Sequence, residues 1–282
     1  MNKQLLGSFS LAFIFALTLL GQKVEGVIVA RENFELATTG TLNGQSSGFG
    51  FSAMDPWTAV MGITEVVATP DPVGGAAVGG NNALQLTGDN DNAIARNVGM
   101  SLTGDFYVSF NIRMTGGSVT DNDFVALWLG EGVFVGAPSV GIKANEGGSG
   151  TEDFMGRISG NQEAYGDEQL QVSGNGDLFD YQLVAFVSKE GGSTTYNQLQ
   201  FWLNPSIGDL ATPNGTSTGN IAIESVDRIG FRTVNITGDS YLVDDIIVST
   251  EWEDNFDIVP EPGTSALLLL FSGAFFVQRR RG

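Results

Sequence analysis

The sequence predicts an all-β fold, a sandwich of two packed antiparallel sheets. Three observations lead there. Helical periodicity is scarce. Glycine is abundant, 39 of 282 residues, and clusters in GGAAVGGNN, TGGS, EGGSG, SGNG, EGGS and NGTSTGN. Between the clusters lie short runs rich in β-branched and aromatic residues, the pattern of strands joined by turns.

In chain order, Asn33-Phe34-Glu35 lies at the first strand, and ALQLTG is the next candidate. DFYVSFNIRMTG follows with clear period-two alternation. Phe106, Val108, Phe110, Ile112 and Met114 share a face to be buried, and Tyr107, Ser109, Asn111, Arg113 and Thr115 share the other. FVALWLG, VGIKAN, FMGRIS and YQLVAFVSK come next. In NQLQFWLNP, Leu199, Phe201 and Leu203 point inward, opposite Gln198, Gln200, Trp202 and Asn204. In VDRIGFRTV, Ile229 and Phe231 oppose Arg228 and Arg232, and SYLVDDIIVS closes the series. Nine such strands without a substantial helix pack naturally as two layers. No internal repeat is visible, which argues against a propeller or solenoid.

Both ends read as addresses. Lys3, an apolar stretch from Leu5 to Leu20 and the small-residue site Val24-Glu25-Gly26 have the order of a secretory signal, a helix to be removed after Gly26 by signal peptidase. The body then runs over 27–258. It carries 8 Lys and Arg against 30 Asp and Glu, a net charge of −22. That surface repels nucleic acid and anionic lipid. There is no Cys and no His. Stability therefore comes without disulfides. Ser-His-Asp and Cys-His nucleophiles, thiolates and the usual zinc sites are excluded. Carboxylates, Lys, Tyr and oxygen-ligand metals remain.

The chain ends in Val259-Pro260-Glu261-Pro262, a 14-residue apolar segment 264–277, and Arg279, Arg280 and Arg281. The prolines force an extended stretch. A helix of that length rises about 21 Å, short of a ~30 Å hydrocarbon core, so the arginines must snorkel to headgroups on the cytoplasmic side. This tripartite tail resembles the PEP-CTERM sorting signal. The resemblance implies processing near Pro-Glu-Pro by an exosortase, a membrane-embedded cysteine enzyme. It also implies brief residence at the inner membrane through the transmembrane segment, then release to the cell surface or the extracellular polysaccharide matrix. The alternative is a simple tail anchor.

The body carries a second resemblance. ENFELATTGTLNGQSSGFGFSAMDPW looks like the opening of a group of bacterial exported proteins. YQLVAFVSK, QFWLNPS, VDRIGFRT and SYLVDDIIVSTEW then follow in an order similar to concanavalin-like, laminin-G-like jelly-roll domains.

Several constellations could carry chemistry. Asp244-Asp245 sits in an otherwise apolar strand, with Asp244 expected on the side of Leu242, Ile246 and Val248, so at least one carboxylate must be buried with a partner. That partner is either an arginine, such as Arg31, Arg228 or Arg232, or a calcium ion. Resemblance to jelly-roll carbohydrate-binding modules implies a structural calcium at Glu35 and Asp245, with Asp244 as substitute. No other cofactor is required. Asp89-Asn90-Asp91-Asn92 and Asp121-Asn122-Asp123 lack a complete calcium loop and read as solvated turns. No Glu-x-Asp-x-Glu motif is present and Glu224-Ser225-Val226-Asp227 has the wrong spacing, so a glycoside hydrolase or lyase is the lesser expectation. A non-catalytic glycan-binding role draws on Trp202 beside Gln200 and Asn204, with Trp57 and Trp128 as further aromatics. The competing reading is a tryptophan that is merely packed. A purely structural matrix protein without ligand is the third alternative.

Overall fold

The computed structural model describes residues 27–256 apart from 75–79, 121, 132–137, 146–151, 161 and 175. The expected signal helix in 1–26 and the tail from Val259 onward, with its apolar segment 264–277, lie outside the described residues. Among the described residues no helix is long and apolar enough to cross a membrane. Their helical elements are two short 3₁₀ turns, Glu190–Gly192 and Glu253–Phe256.

The strands are β1 Ile28–Glu32, β2 Gly40–Thr41, β3 Thr64–Ala68, β4 Asn82–Leu86, β5 Asn90–Leu102, β6 Phe106–Gly116, β7 Phe124–Gly130 and β8 Ser139–Lys143. β9 Phe154–Arg157, β10 Glu163–Gly166, β11 Tyr181–Ser188, β12 Gln198–Leu203, β13 Gly215–Thr218, β14 Val226–Val234 and β15 Ser240–Ser249 complete the set. They form two antiparallel sheets. The larger runs β13-β12-β11-β6-β15-β4-β3-β2, with β1 also paired to β15, and the smaller runs β10-β9-β8-β7-β14-β5.

The core lies between the sheets. Phe106, Val108, Phe110, Ile112 and Met114 of β6 all enter it, as their alternation predicts. Across the gap β14 supplies Ile229 and Phe231, and Phe110 meets Phe231 edge-on at 5.7 Å between ring centres. Burial of this kind supplies about 25 cal/mol per Å² of apolar surface and is the main force closing the sandwich.

β15 is the hinge of the larger sheet. One edge pairs with β6 over Ser240–Asp244 and Ile247–Ser249; the other pairs with β4 over Tyr241–Val243 and with β1 over Ile246–Ser249. At this change of partner the register to β6 slips between Asp244 and Ile247, and Asp245 has a left-handed backbone with φ of 49°. The slip is a bulge. It corrects the expected facing, because Tyr241, Val243, Ile246 and Val248 all reach the core while Leu242 joins a small cluster on the outer side.

Two readings of acidic turns hold only in part. Asn90 is buried in β5 and donates to Thr233 Oγ1 at 2.7 Å, while Asp89 accepts the Ile236 N–H at 2.9 Å. Asp123 is buried and accepts from the Thr120 N–H and hydroxyl at 2.7 and 2.6 Å. Each run is thus anchored at one buried residue, Asn90 or Asp123, while Asp89, Asp91 and Asn122 stay exposed as a solvated turn requires; Asp121 itself is outside the described residues.

Candidate functional site

The β15 bulge places Asp244 and Asp245 in the protein interior, both almost fully buried. Arg31 of β1 donates to Asp245 Oδ1 from Nε at 3.1 Å and from Nη2 at 2.6 Å. Asp244 Oδ1 accepts the Asp245 N–H at 2.7 Å. The second oxygen of each carboxylate, Oδ2, is buried without a hydrogen-bond partner. Glu35 is near enough to act electrostatically on both, and its Oε1 accepts the Asn82 N–H at 2.7 Å. Burial, then the Asp245 charge, holds the Asp244 carboxyl well above the usual carboxylate range. Burial also raises Asp245, against the opposing pull of Arg31.

The structure thus sets Asp244 beside Asp245, with Glu35 acting on both only through its charge, and it answers one of the two open partners, since Arg31 pairs with Asp245. Arg228 and Arg232 lie on the other sheet. The oxygen donors suit calcium in kind. Among the described residues, however, no group of three acidic side chains is arranged to hold a metal ion.

A second buried ion pair was invisible in the sequence. Glu32 Oε2 accepts from Arg96 Nη1 at 3.0 Å, from the Ser47 hydroxyl at 2.8 Å and from Trp57 Nε1 at 3.3 Å, while Oε1 accepts the Phe34 N–H at 3.0 Å. The Arg96 guanidinium also bonds the Ser47 carbonyl and lies 4.7 Å from the Phe51 ring centre. Glu32 and Arg96 are 64 residues apart, so no local pattern could have announced them. The network pins the segment carrying Trp57 onto the sandwich.

That role removes Trp57 as a sugar platform. It is 1% exposed and packs at 6.4 and 6.2 Å from Phe34 and Phe51. Trp202 is corrected in the same way. It does point away from the main core, as alternation predicts, but it too is 1% exposed. Trp252, just after β15, lies over it at 4.9 Å between ring centres, with Tyr107, Val184 and Phe256 closing the cluster. Trp202 Nε1 donates to the Asp209 carbonyl at 2.9 Å. No face is open to a ligand, so the packed reading holds. Gln200 stays half-buried, and Asn204 serves β11, its Oδ1 accepting the Gln182 N–H at 2.8 Å.

A different face gathers aromatic rings and polar groups, the outer side of the six-stranded sheet, although Trp128 is fully buried there, Phe124 and Arg157 are nearly so, and only Lys143, Glu163, Tyr165 and Arg232 are half-buried. Phe124 and Trp128 come from β7, Lys143 from β8, Arg157 from β9, Glu163 and Tyr165 from β10, and Arg232 from β14. Their cross-strand pairings set them on one face. Arg157 and Arg232 lie 5.2 and 5.6 Å from the centre of the Phe124 ring. Lys143 donates to Glu163 Oε2 at 3.0 Å and to the Tyr165 hydroxyl at 3.2 Å, and that hydroxyl donates to the same Glu163 oxygen at 2.9 Å. Burial and the Glu163 hydrogen bond push the Tyr165 phenol up to about 12. Glu163 is held below its usual range by its bonds to Lys143 and Tyr165, which outweigh its burial. Trp128 is fully buried and packs against Gly230, where a Cβ would fall 2.6 Å from its ring.

No family model matches the chain, and no curated protein matches it. Solved structures overlap it loosely. The T. cruzi calreticulin globular domain is 12% identical, covering 91% of this chain and 100% of its own, with a TM-score of 0.43. The Emp47p carbohydrate recognition domain is 11% identical, covering 82% of this chain and 99% of its own, with a TM-score of 0.42. Domain 4 of AbnA, a GH43 extracellular arabinanase from Geobacillus stearothermophilus solved with arabinotriose, is 10% identical, covering 84% and 100%, with a TM-score of 0.44. Overlaps this loose say nothing of a ligand for this chain.

A second recess lies on the outer side of the larger sheet. It is a groove of about 660 Å³ bordered by Asp71, Gln85, Arg113, Ser173, Asp177 and Leu242. Arg113 is engaged there, bidentate to Asp180 at 2.5 and 2.7 Å and bonded to the Asp71 and Pro72 carbonyls. Among the described residues the groove's border carries no aromatic ring, and its one cation is engaged. The six-stranded sheet's face combines rings, cations, a carboxylate and hydroxyls, which is the chemistry that grips a polyhydroxylated ligand.

Proposed function

We propose that this chain is an exported, non-catalytic protein of the cell surface or extracellular matrix, whose jelly-roll body binds a glycan through the outer face of its six-stranded sheet. The observation that carries the binding is the half-buried set of Lys143, Glu163, Tyr165 and Arg232 on that one face, backed by the buried Phe124 and Arg157. A glycan array probed with the full chain tests it. Specific binding that weakens in Tyr165→Ala supports the reading; an array without binding leaves a purely structural protein instead. A turnover assay on the bound glycans separates binding from cleavage. Hydrolysis or lyase activity lost on one carboxylate-to-amide change would install the enzyme alternative.

Delivery rests on the tail. Signal peptidase acts after Gly26, and an exosortase processes the chain near Val259-Pro260-Glu261-Pro262 after segment 264–277 has held it in the inner membrane. Intact-mass measurement of surface material tests this; product still bearing Arg279–Arg281 would leave a permanent tail anchor.

We add a structural calcium at Glu35, Asp244 and Asp245. What supports it is the pair of buried Oδ2 atoms without partners.

A further inference from the structure

We propose that the groove on the outer side of the larger sheet binds a linear polyamine, an alkyl chain carrying several ammonium groups. The site lies on the opposite sheet from the face assigned to glycan and is independent of it.

The first support is a preformed shape. The floor is made by Gln85 of β4, Leu242 of β15 and Thr115 of β6, on three neighbouring strands. Ser240 ties its ends together, its hydroxyl accepting from Gln85 Nε2 at 3.0 Å and from Thr115 Oγ1 at 3.1 Å. One wall, 68–71, continues from the end of β3. The other carries Ser173, Asp177 and Leu178 beside β6, where the Ser173 N–H bonds the Met114 carbonyl at 2.8 Å. Gly174 and Asp177 exchange two backbone bonds at 3.0 Å, which stiffens that wall. Arg113 rises from the floor and braces both sides at once, bonding the Asp71 and Pro72 carbonyls and the Asp180 carboxylate. A groove of about 660 Å³ held open in this way asks little reordering of its occupant.

The second support is charge complementarity. Of the body's eight cations, Arg113 alone is among the described residues that border the groove, and Asp180 neutralises it. Asp71 and Asp177 are exposed on the border, and neither carboxylate has a hydrogen bond or ion pair among the described residues. Glu65 is exposed on the same face as Gln85, its cross-strand partner. Three carboxylates without a counter-charge thus stand in or beside one groove. Such a site repels anions and draws cations.

The third support concerns the kind of cation. Among the described residues these acids do not converge as ligands of one metal ion. A cation that answers them all is therefore an extended one. The apolar lining of Val67, Leu178 and Leu242 suits its methylene groups, and Leu178 is 51% exposed with that surface to cover. Alkylammonium chains lie in this manner, stem on apolar surface and charged head among oxygens. Among the described residues no ring borders the groove, so neither a stacked sugar nor a caged quaternary ammonium finds its usual support there.

The test is isothermal titration of the full chain with spermine, for the wild type, for Asp71→Asn combined with Asp177→Asn, and for Asp91→Asn, which alters an exposed carboxylate on the other sheet. The expected result is saturable one-to-one binding that added salt weakens. The double change should lower affinity about tenfold, the combined effect of two part-exposed ion contacts, and Asp91→Asn should leave it unchanged. Unchanged melting temperatures confirm the folds. Should the double variant not fold, Asp177→Asn alone decides, with a loss of about threefold expected. Absence of saturable binding, or an equal loss in Asp91→Asn, would show only diffuse attraction to an acidic surface and overturns the proposal. So does binding of a lysine-rich peptide or of glucosamine oligomers where spermine does not bind. Tyr165→Ala should leave spermine binding intact, so failure at this groove and failure of the glycan-binding face are separate results.

Discussion

Arg31 holds Asp245 by two hydrogen bonds to a single carboxylate oxygen, tying the first strand of the sandwich to its last across 214 residues of sequence. The bond sits at the bulge of β15, where that strand exchanges β4 for β1 as its neighbour. Removing the guanidinium leaves a carboxylate buried without its counter-charge. Arg31→Met should therefore cost about 3–5 kcal/mol, the usual effect of breaking one side of a buried pair. Urea denaturation monitored by tryptophan fluorescence measures it. A loss below about 1 kcal/mol would mean that solvent reaches Asp245.

Asp244 should make stability fall as pH rises. Its carboxyl in the fold sits well above the usual range, so the native state binds this proton more tightly than the unfolded chain does. The contribution is whole below the unfolded value of about 3.9 and is lost as pH climbs through the raised native value. Asp245 is raised too and has the same sign. Asp244→Asn keeps an oxygen for the Asp245 N–H and removes the titration. It should be more stable than the wild type at pH 7 and close to it at pH 3.5. Denaturation midpoints across that range decide, and identical profiles would refute the assignment.

Calcium should reverse that penalty. An ion among Glu35, Asp244 and Asp245 supplies the positive charge that burial withholds, so millimolar calcium should raise the wild-type melting temperature and chelation should lower it. Asp244→Asn should blunt the response. A melting curve indifferent to calcium and chelator alike would leave Arg31 as the sole counter-charge of the pair.

Trp202 should matter for stability and not for ligand. Its ring is sealed beneath Trp252 and Phe256. Trp202→Ala should cost about 3–5 kcal/mol, as large-to-small changes at buried aromatics do. Binding of any glycan by the surviving folded fraction should be unchanged. A variant of normal stability that has lost binding would restore Trp202 to the ligand site.

How much of this could be read in advance depended on where partners lie. Strands with one apolar face, β6, β12 and β14, were legible because their alternation is local. β5 was not: it carries Asn90, Arg96 and Asn97 at positions served by Thr233, Glu32 and Arg228, partners remote in sequence. Alternation also put Trp202 on the correct side of its strand. It could not show that the side is roofed, although Trp252 and Phe256, two aromatics just beyond the last strand, were the available hint. The acidic pair at 244–245 announced itself as costly, and Arg31 was among its named partners. The bulge that orients it was hidden, because a bulge is a relation between two strands. The face of the six-stranded sheet was missed because its members come from five strands, and each contributes only one or two residues.

The pairing of β1 with β15 brings Ile28 opposite Ser249, so the chain enters and leaves the sandwich at one corner. A pull between those two points acts across the ladder and opens it one rung at a time, the weak direction of an antiparallel pair. Under mechanical load the first strand should peel away before either sheet yields, carrying Arg31 out of Asp245's reach. An attachment made through one end alone would leave that seam unstressed.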